Sequence, residues 1–147
     1  MSKSRVLLVE DDNLLRMGLK SMIDLRGEYV VGSDVGTGKD AIQSFQQVPS
    51  DIVLLDLRLP DMPGTEVLKK LREINQTAKV IVLTACDNNE QLYETLEYGT
   101  NAYVLKGENP EELFLAMRYA LNNDLFISPR LAKNIVKDYL VANRQRK

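Results

Sequence analysis

Directly behind the apolar run VLLV (6–9) stand three acids in a row, Glu10, Asp11 and Asp12. Like charges gathered at one point raise one another's pKa unless something positive sits among them. The chain has no histidine and one cysteine, Cys86. Imidazole zinc sites, Ser-His and Cys-His nucleophile pairs and an internal disulfide are therefore excluded. Oxygen donors alone select a hard cation. Mg2+ suits them, because it needs only one or two protein carboxylates and leaves other positions to water or phosphate oxygens. Three more residues occupy comparable places: Asp56 near the end of DIVLLDL (51–57), Thr84 near the end of KVIVLTA (79–85) and Lys106 at the end of NAYVLK (101–106). An aspartate can attack phosphorus and form an acyl phosphate. A cation, an ammonium and a hydroxyl around the transferring group would stabilise its equatorial oxygens. These residue types suit phosphoryl transfer to Asp56, with Thr84 and Lys106 as donors.

The residues can meet only if the intervening chain brings those run ends together. RVLLV (5–9) and YVVGSDV (29–35) read as strands, as do the three runs just named. Between them apolar residues recur at helical spacing: Leu15, Leu19, Met22 and Ile23; Ala41, Ile42, Phe45 and Val48, closed by Pro49; Val67, Leu68, Leu71 and Ile74; Leu92 and Leu96 with Tyr93. Asn109, Pro110, Glu111 and Glu112 announce a fifth helix through about Leu121. Five strands alternating with five helices predict a doubly wound α/β domain whose parallel sheet is covered on both faces. The common strand order 2-1-3-4-5 sets strands 1 and 3 side by side where the order reverses, and the crevice lies outside the carboxyl ends of the strands there. That is where the acids, Asp56, Thr84 and Lys106 converge. Asp12 or Asn13 is expected to cap the first helix, outside any metal shell.

Bulk properties fit one domain. The 147 residues carry a net charge of −2, a poor match for nucleic acid, and 44% hydrophobic residues in runs too short to span a bilayer. A reducing, cytoplasmic setting is the default expectation.

The ordered set LLVEDD, LLDLRLPDMPG, VLTA and AYVLK, spread over residues 5 to about 122, resembles the response-regulator receiver family of two-component signalling. The resemblance implies a flavodoxin-like (CheY-like) fold. Glu10 and Asp11 would form the acidic pair, with Asp11 the nearer Mg2+ ligand. Asp56 would be the phosphoacceptor and the backbone carbonyl of Arg58 a further ligand. Thr84 would be the switch hydroxyl, Tyr103 the switch aromatic and Lys106 the phosphate-pairing lysine, with Pro60 and Gly64 matching the loop after Asp56. The implied partner is a sensor histidine kinase, and the implied activity is that of a phosphoacceptor, limited to self-phosphorylation and autodephosphorylation. Phosphorylation would reshape the surface of helix 4, strand 5 and helix 5. One departure is Gly107 after the lysine, where many members have proline. Arg58 and Cys86 flank the pocket.

The ending NPEEL…ISPRLA is similar to receivers of the NarL/FixJ type, which precede a LuxR-type helix-turn-helix. Residues 1–124 are expected to form the receiver, and 125–147 a C-terminal helix or linker toward an effector, through which alone DNA would be reached. Ser128 and Pro129 read as cap and first helical residue, with Leu131, Ile135 and Tyr139 on one stripe; Arg144, Arg146 and Lys147 make a basic tip. Homodimerisation on phosphorylation is a further expectation. The competing reading is a stand-alone or phosphate-independent pseudo-receiver acting by protein–protein contact, against which the intact site set speaks. GTGKD (36–40) suggests a phosphate loop but lacks its first glycine and terminal hydroxyl residue, having Ser33 and Asp40 instead.

Overall fold

The structure is a computed structural model that describes residues 3–85, 89–107 and 109–145. Six parallel strands form one sheet in the order β2-β1-β3-β4-β5-β6: β1 (Ser4–Val9), β2 (Tyr29–Val35), β3 (Ile52–Asp56), β4 (Lys79–Thr84), β5 (Ala102–Leu105) and β6 (Phe126–Ile127). The helices are α1 (Asn13–Arg26), α2 (Gly38–Gln47), α3 (Gly64–Ile74), α4 (Asn89–Glu97), α5 (Pro110–Leu121) and α6 (Pro129–Gln145). The first five strands follow the expected order. The sixth was not expected: Ala102 pairs with Phe126 and Tyr103 with Ile127.

Both faces of the sheet are covered, as near-continuous apolar strands require. Val6, Leu8, Leu54 and Ile81 pack against α1 and α5 through Ile23, Phe114 and Met117. Leu7, Val9, Val53 and Leu55 pack against α2 and α3 through Phe45, Val67 and Leu71. The Asp12 side chain caps α1, accepting from Leu15 N at 3.0 Å, and Asn109 caps α5, accepting from Glu111 N at 3.0 Å. Tyr93 and Leu96 of α4 are 37% and 40% exposed, so Leu92 alone of that expected stripe is core. In α6, Leu131 is buried and Ile135 half-buried, but Tyr139, further along the same stripe, is 64% exposed. Pro129 is the first residue of α6 and Ser128 stands at its cap position as expected, its carbonyl accepting from Ala132 N at 3.0 Å. Ser128 Oγ accepts from Leu105 N at 3.1 Å, a tie to β5.

Two glycines are required where they stand. A side chain at Gly64 would lie 2.5 Å from Leu57 Cα, so α3 could not begin so close beneath the end of β3. Gly107 has φ +79°, a left-handed turn open to glycine, which answers how the chain leaves Lys106 without proline.

Arg72 ties α3 to the loops at the opposite end of the sheet. Its guanidinium donates to the carbonyls of Ala78 (2.6 Å), Gly99 (2.7 Å) and Tyr98 (3.3 Å) and to Asn101 Oδ1 (3.1 Å). Arg72→Ala would remove a donor from each of the four acceptors, of which Asn101 Oδ1 keeps Val80 N at 2.8 Å. It is expected to cost about 2–3 kcal/mol in chemical denaturation while leaving the chemistry at the other end of the strands intact.

Candidate functional site

The strand ends bring Glu10, Asp11, Asp56 and Lys106 together. Carboxylate oxygens of Glu10, Asp11 and Asp56 lie within 4.8 Å of one another. Asp11 is exposed, whereas Glu10 and Asp56 are almost wholly buried. Asp56 ends a fully buried strand, so its carboxylate is fixed between β1 and β4; its Oδ1 accepts from Arg58 N at 3.0 Å. The Lys106 ammonium bridges the two buried acids, 2.9 Å and 3.1 Å from the Glu10 oxygens and 2.8 Å from Asp56 Oδ2. That last approach is an ion pair outside hydrogen-bond geometry, and among the described residues no donor serves Oδ2. A buried, charged oxygen without a donor is costly unless a ligand uses it.

Electrostatics separates the two acids. Burial, followed by the shared hydrogen bond with Asp56, pushes the Glu10 carboxyl up to about 8. For Asp56 burial also works upward, but the adjacent Glu10 carboxyl, the Lys106 ammonium and the Arg58 N–H outweigh it and hold the carboxyl below its ordinary value. Burial alone would depress the Lys106 ammonium, yet its contacts with Asp56 and Glu10 raise it. At neutral pH the pair shares one proton, held on Glu10, and Asp56 stays ionised beside a charged lysine. A deprotonated oxygen with a free lone pair is what a nucleophile needs.

Thr84 lies half-buried at the tip of β4, and its carbonyl accepts from Lys106 N at 2.8 Å. Arg58 is exposed at the rim. Tyr103 stands apart from the acids: it is fully buried under α4, its hydroxyl 2.8 Å from Thr95 Oγ1 and 3.5 Å from the Leu92 carbonyl. Cys86, Arg146 and Lys147 lie outside the described residues.

Sequence reasoning missed Arg16, which grips the acidic loop from behind. Its Nη1 donates to the Glu10 carbonyl at 2.5 Å, its Nη2 to Asn13 Oδ1 at 2.6 Å and its Nε to Asp34 Oδ2 at 3.3 Å. With Glu10 N bonded to the Val35 carbonyl at 3.0 Å, the Glu10 backbone is held on both sides. A cation one turn inside α1, on the side facing β2, was the available signal. The GTGKD stretch is also explained. Asp61 Oδ1 and Oδ2 accept from Gly38 N (2.8 Å) and Lys39 N (2.9 Å), so the start of α2 already has an anion supplied by the chain itself.

The response regulator receiver domain family model matches residues 6–118. The nitrate/nitrite response regulator protein NarL of Escherichia coli (strain K12) is 31% identical over 139 residues, covering 95% of this chain and 64% of that protein. The transcriptional regulatory protein YdfI of Bacillus subtilis (strain 168) is 31% identical over 132 residues, covering 90% of this chain and 62% of that protein. The chain thus spans less than two thirds of the length of these curated relatives. A crystal structure of a LuxR-family two-component response regulator from Aurantimonas sp. SI85-9A1 superposes with a TM-score of 0.88 at 27% identity, covering 95% of this chain and 99% of that one.

Proposed function

The chain belongs to the response-regulator receiver family of two-component systems, with relatives of the NarL/LuxR type, and on that premise we propose that it switches output by accepting a phosphoryl group on Asp56. The observation that carries this reading is the buried Asp56 carboxylate at the strand ends, its Oδ2 2.8 Å from the Lys106 ammonium and its oxygens within 4.8 Å of those of Glu10 and Asp11. In the proposed step an Asp56 oxygen forms a bond to phosphorus as the donor's bond to phosphorus breaks; the leaving group departs with the bonding pair and takes a proton. Lys106 neutralises charge on the phosphoryl oxygens, and Thr84 hydrogen-bonds one of them. The all-oxygen set of Glu10, Asp11, Asp56 and the Arg58 carbonyl fits Mg2+, which when bound would neutralise the crowded acids and the incoming phosphoryl oxygens.

The chain contains no histidine, so a phosphohistidine donor would be on a partner, a sensor histidine kinase. The protein is then a phosphoacceptor and not a turnover enzyme. An apolar hollow of about 230 Å3 between α1 and α5, lined by Leu15, Leu19, Leu113 and the stem of Lys106, offers no second acid–base pair for an external substrate. No helix among the described residues is long and apolar enough to cross a membrane; a cytoplasmic location goes with the proposed role. Transcriptional output through a DNA-binding effector, and dimerisation on phosphorylation, belong to the same reading.

Incubation with a small phosphodonor and Mg2+ tests it. The chain is expected to gain a single phosphoryl group, by intact mass, that hydroxylamine removes as it does an acyl phosphate. No incorporation would favour a phosphate-independent module, and continuous turnover of the donor without a labelled protein would favour a hydrolase. Thr84→Ala is expected to accept phosphate yet lose most of the shift in amide resonances around α4 and β5 that the intact protein shows. A full shift in that variant would sever Thr84 from the switch.

A further inference from the structure

The sheet face that carries Thr84 is roofed on its β5 side by α6. Val82 and Thr84 pair in register with Tyr103 and Leu105, and residues in register on neighbouring strands point to the same face. Tyr103 fills that face beside α4, and Leu131 of α6, 1% exposed, packs in the same cluster with Ile127 and Ile135. The backbone reinforces the roof. Ile127 pairs with Tyr103, and Ser128 N donates to the Tyr103 carbonyl at 2.9 Å. One turn along, the Tyr93 hydroxyl of α4 donates to Asp138 Oδ2 of α6 at 3.0 Å.

From these contacts we infer that α6 is a latch on the switch: its docking holds Tyr103 inward and is thereby coupled to phosphoryl binding at Asp56. The inference rests on the function proposed above. A Tyr103 ring leaving the α4 side would have to swing toward the outer edge of β5, where β6 and Leu131 now sit. With α6 docked, the inward position is the one open to it. The inward ring in turn denies that space to the Thr84 side chain and favours Thr84 turned toward Asp56. Docked α6, inward Tyr103 and an engaged Thr84 therefore belong to one state. Coupling of this kind is reciprocal, so the phosphoryl group tightens α6 by the factor by which α6 tightens the phosphoryl group. The outer side of α6, with Val136, Leu140 and Val141 about half exposed, is then presented or released according to the state of Asp56.

Beryllium fluoride with Mg2+, a phosphoryl mimic, gives the test on the intact chain. Hydrogen exchange of α6 amides is expected to slow about 5- to 10-fold when the mimic is added, and Leu131→Ala is expected to weaken the mimic's dissociation constant by a similar factor in calorimetry. In Thr84→Ala the mimic should leave α6 exchange unchanged. The exchange measurement needs no substitution at Leu131, so it stands even if that variant unfolds. Tight binding to the intact chain with unaltered α6 exchange would overturn the latch alone. Failure of the intact chain to bind the mimic would overturn the reading of Asp56 and the latch with it.

Discussion

Asp56→Asn is expected to take up no phosphoryl group under conditions that label the intact protein fully, and to melt at a higher temperature without metal. The two effects share a cause. The carboxamide lacks the charged oxygen that attacks phosphorus, so incorporation should fall at least about 100-fold. The same change removes the carboxylate that keeps a proton on buried Glu10, and so lets Glu10 ionise against Lys106, which stands within 2.9 Å of Glu10 and 2.8 Å of Asp56. Lys106 and Glu10 then form a balanced pair, and the stability gain is on the order of 1–3 kcal/mol. Intact mass and a thermal melt read both. Phosphorylation of the variant at the native rate would remove Asp56 from the mechanism, and a lower melting temperature would contradict the crowding argument.

Glu10→Gln is expected to flatten the pH dependence of stability and to weaken Mg2+ binding at least about 10-fold. The Glu10 carboxyl is raised from 4.5 to about 8 by burial and by Asp56. Between those values the folded protein keeps a proton that the unfolded chain has lost. Its contribution is thus whole below pH 4.5 and disappears as pH climbs through about 8. Asp56 behaves oppositely: its carboxyl is lowered, so its contribution is present above the ordinary carboxylate range and is lost as pH falls through its folded value. Metal-free protein should therefore lose a few kcal/mol, on the order of 3, from mildly acidic to alkaline pH. The glutamine variant should lose much less. Mg2+ binding, which needs Glu10 ionised, should strengthen over the same interval and release a proton measurable by calorimetry in buffers of different ionisation heat. A flat pH profile for the intact metal-free protein would refute the assignment.

The site was legible from sequence because each of its members closes an apolar run, and a doubly wound sheet gathers the ends of neighbouring strands. Glu10, Asp56, Thr84 and Lys106 needed no long-range contact to be placed. What was not legible depended on such contacts. Phe126–Ile127 is too short to show a period, and it is a strand only because β5 offers a free edge. Helical spacing put Tyr139 in line with Leu131, but α6 meets the sheet near its first turns, leaving Tyr139 in solvent. Arg16 entered no motif, and its reach to the Glu10 carbonyl is a tertiary contact. Tyr103 was identified as a switch aromatic by resemblance alone; the hydroxyl's bond to Thr95 and the cover of Leu131 are tertiary facts.

The most direct measurement is to expose the protein to a small phosphodonor with Mg2+ and with chelator, then locate the label by peptide fragmentation. Label confined to the peptide carrying Asp56, abundant with Mg2+ and nearly absent with chelator, is the predicted result. Label on another residue, or equal labelling of Asp56 when divalent ions are removed, would contradict the account.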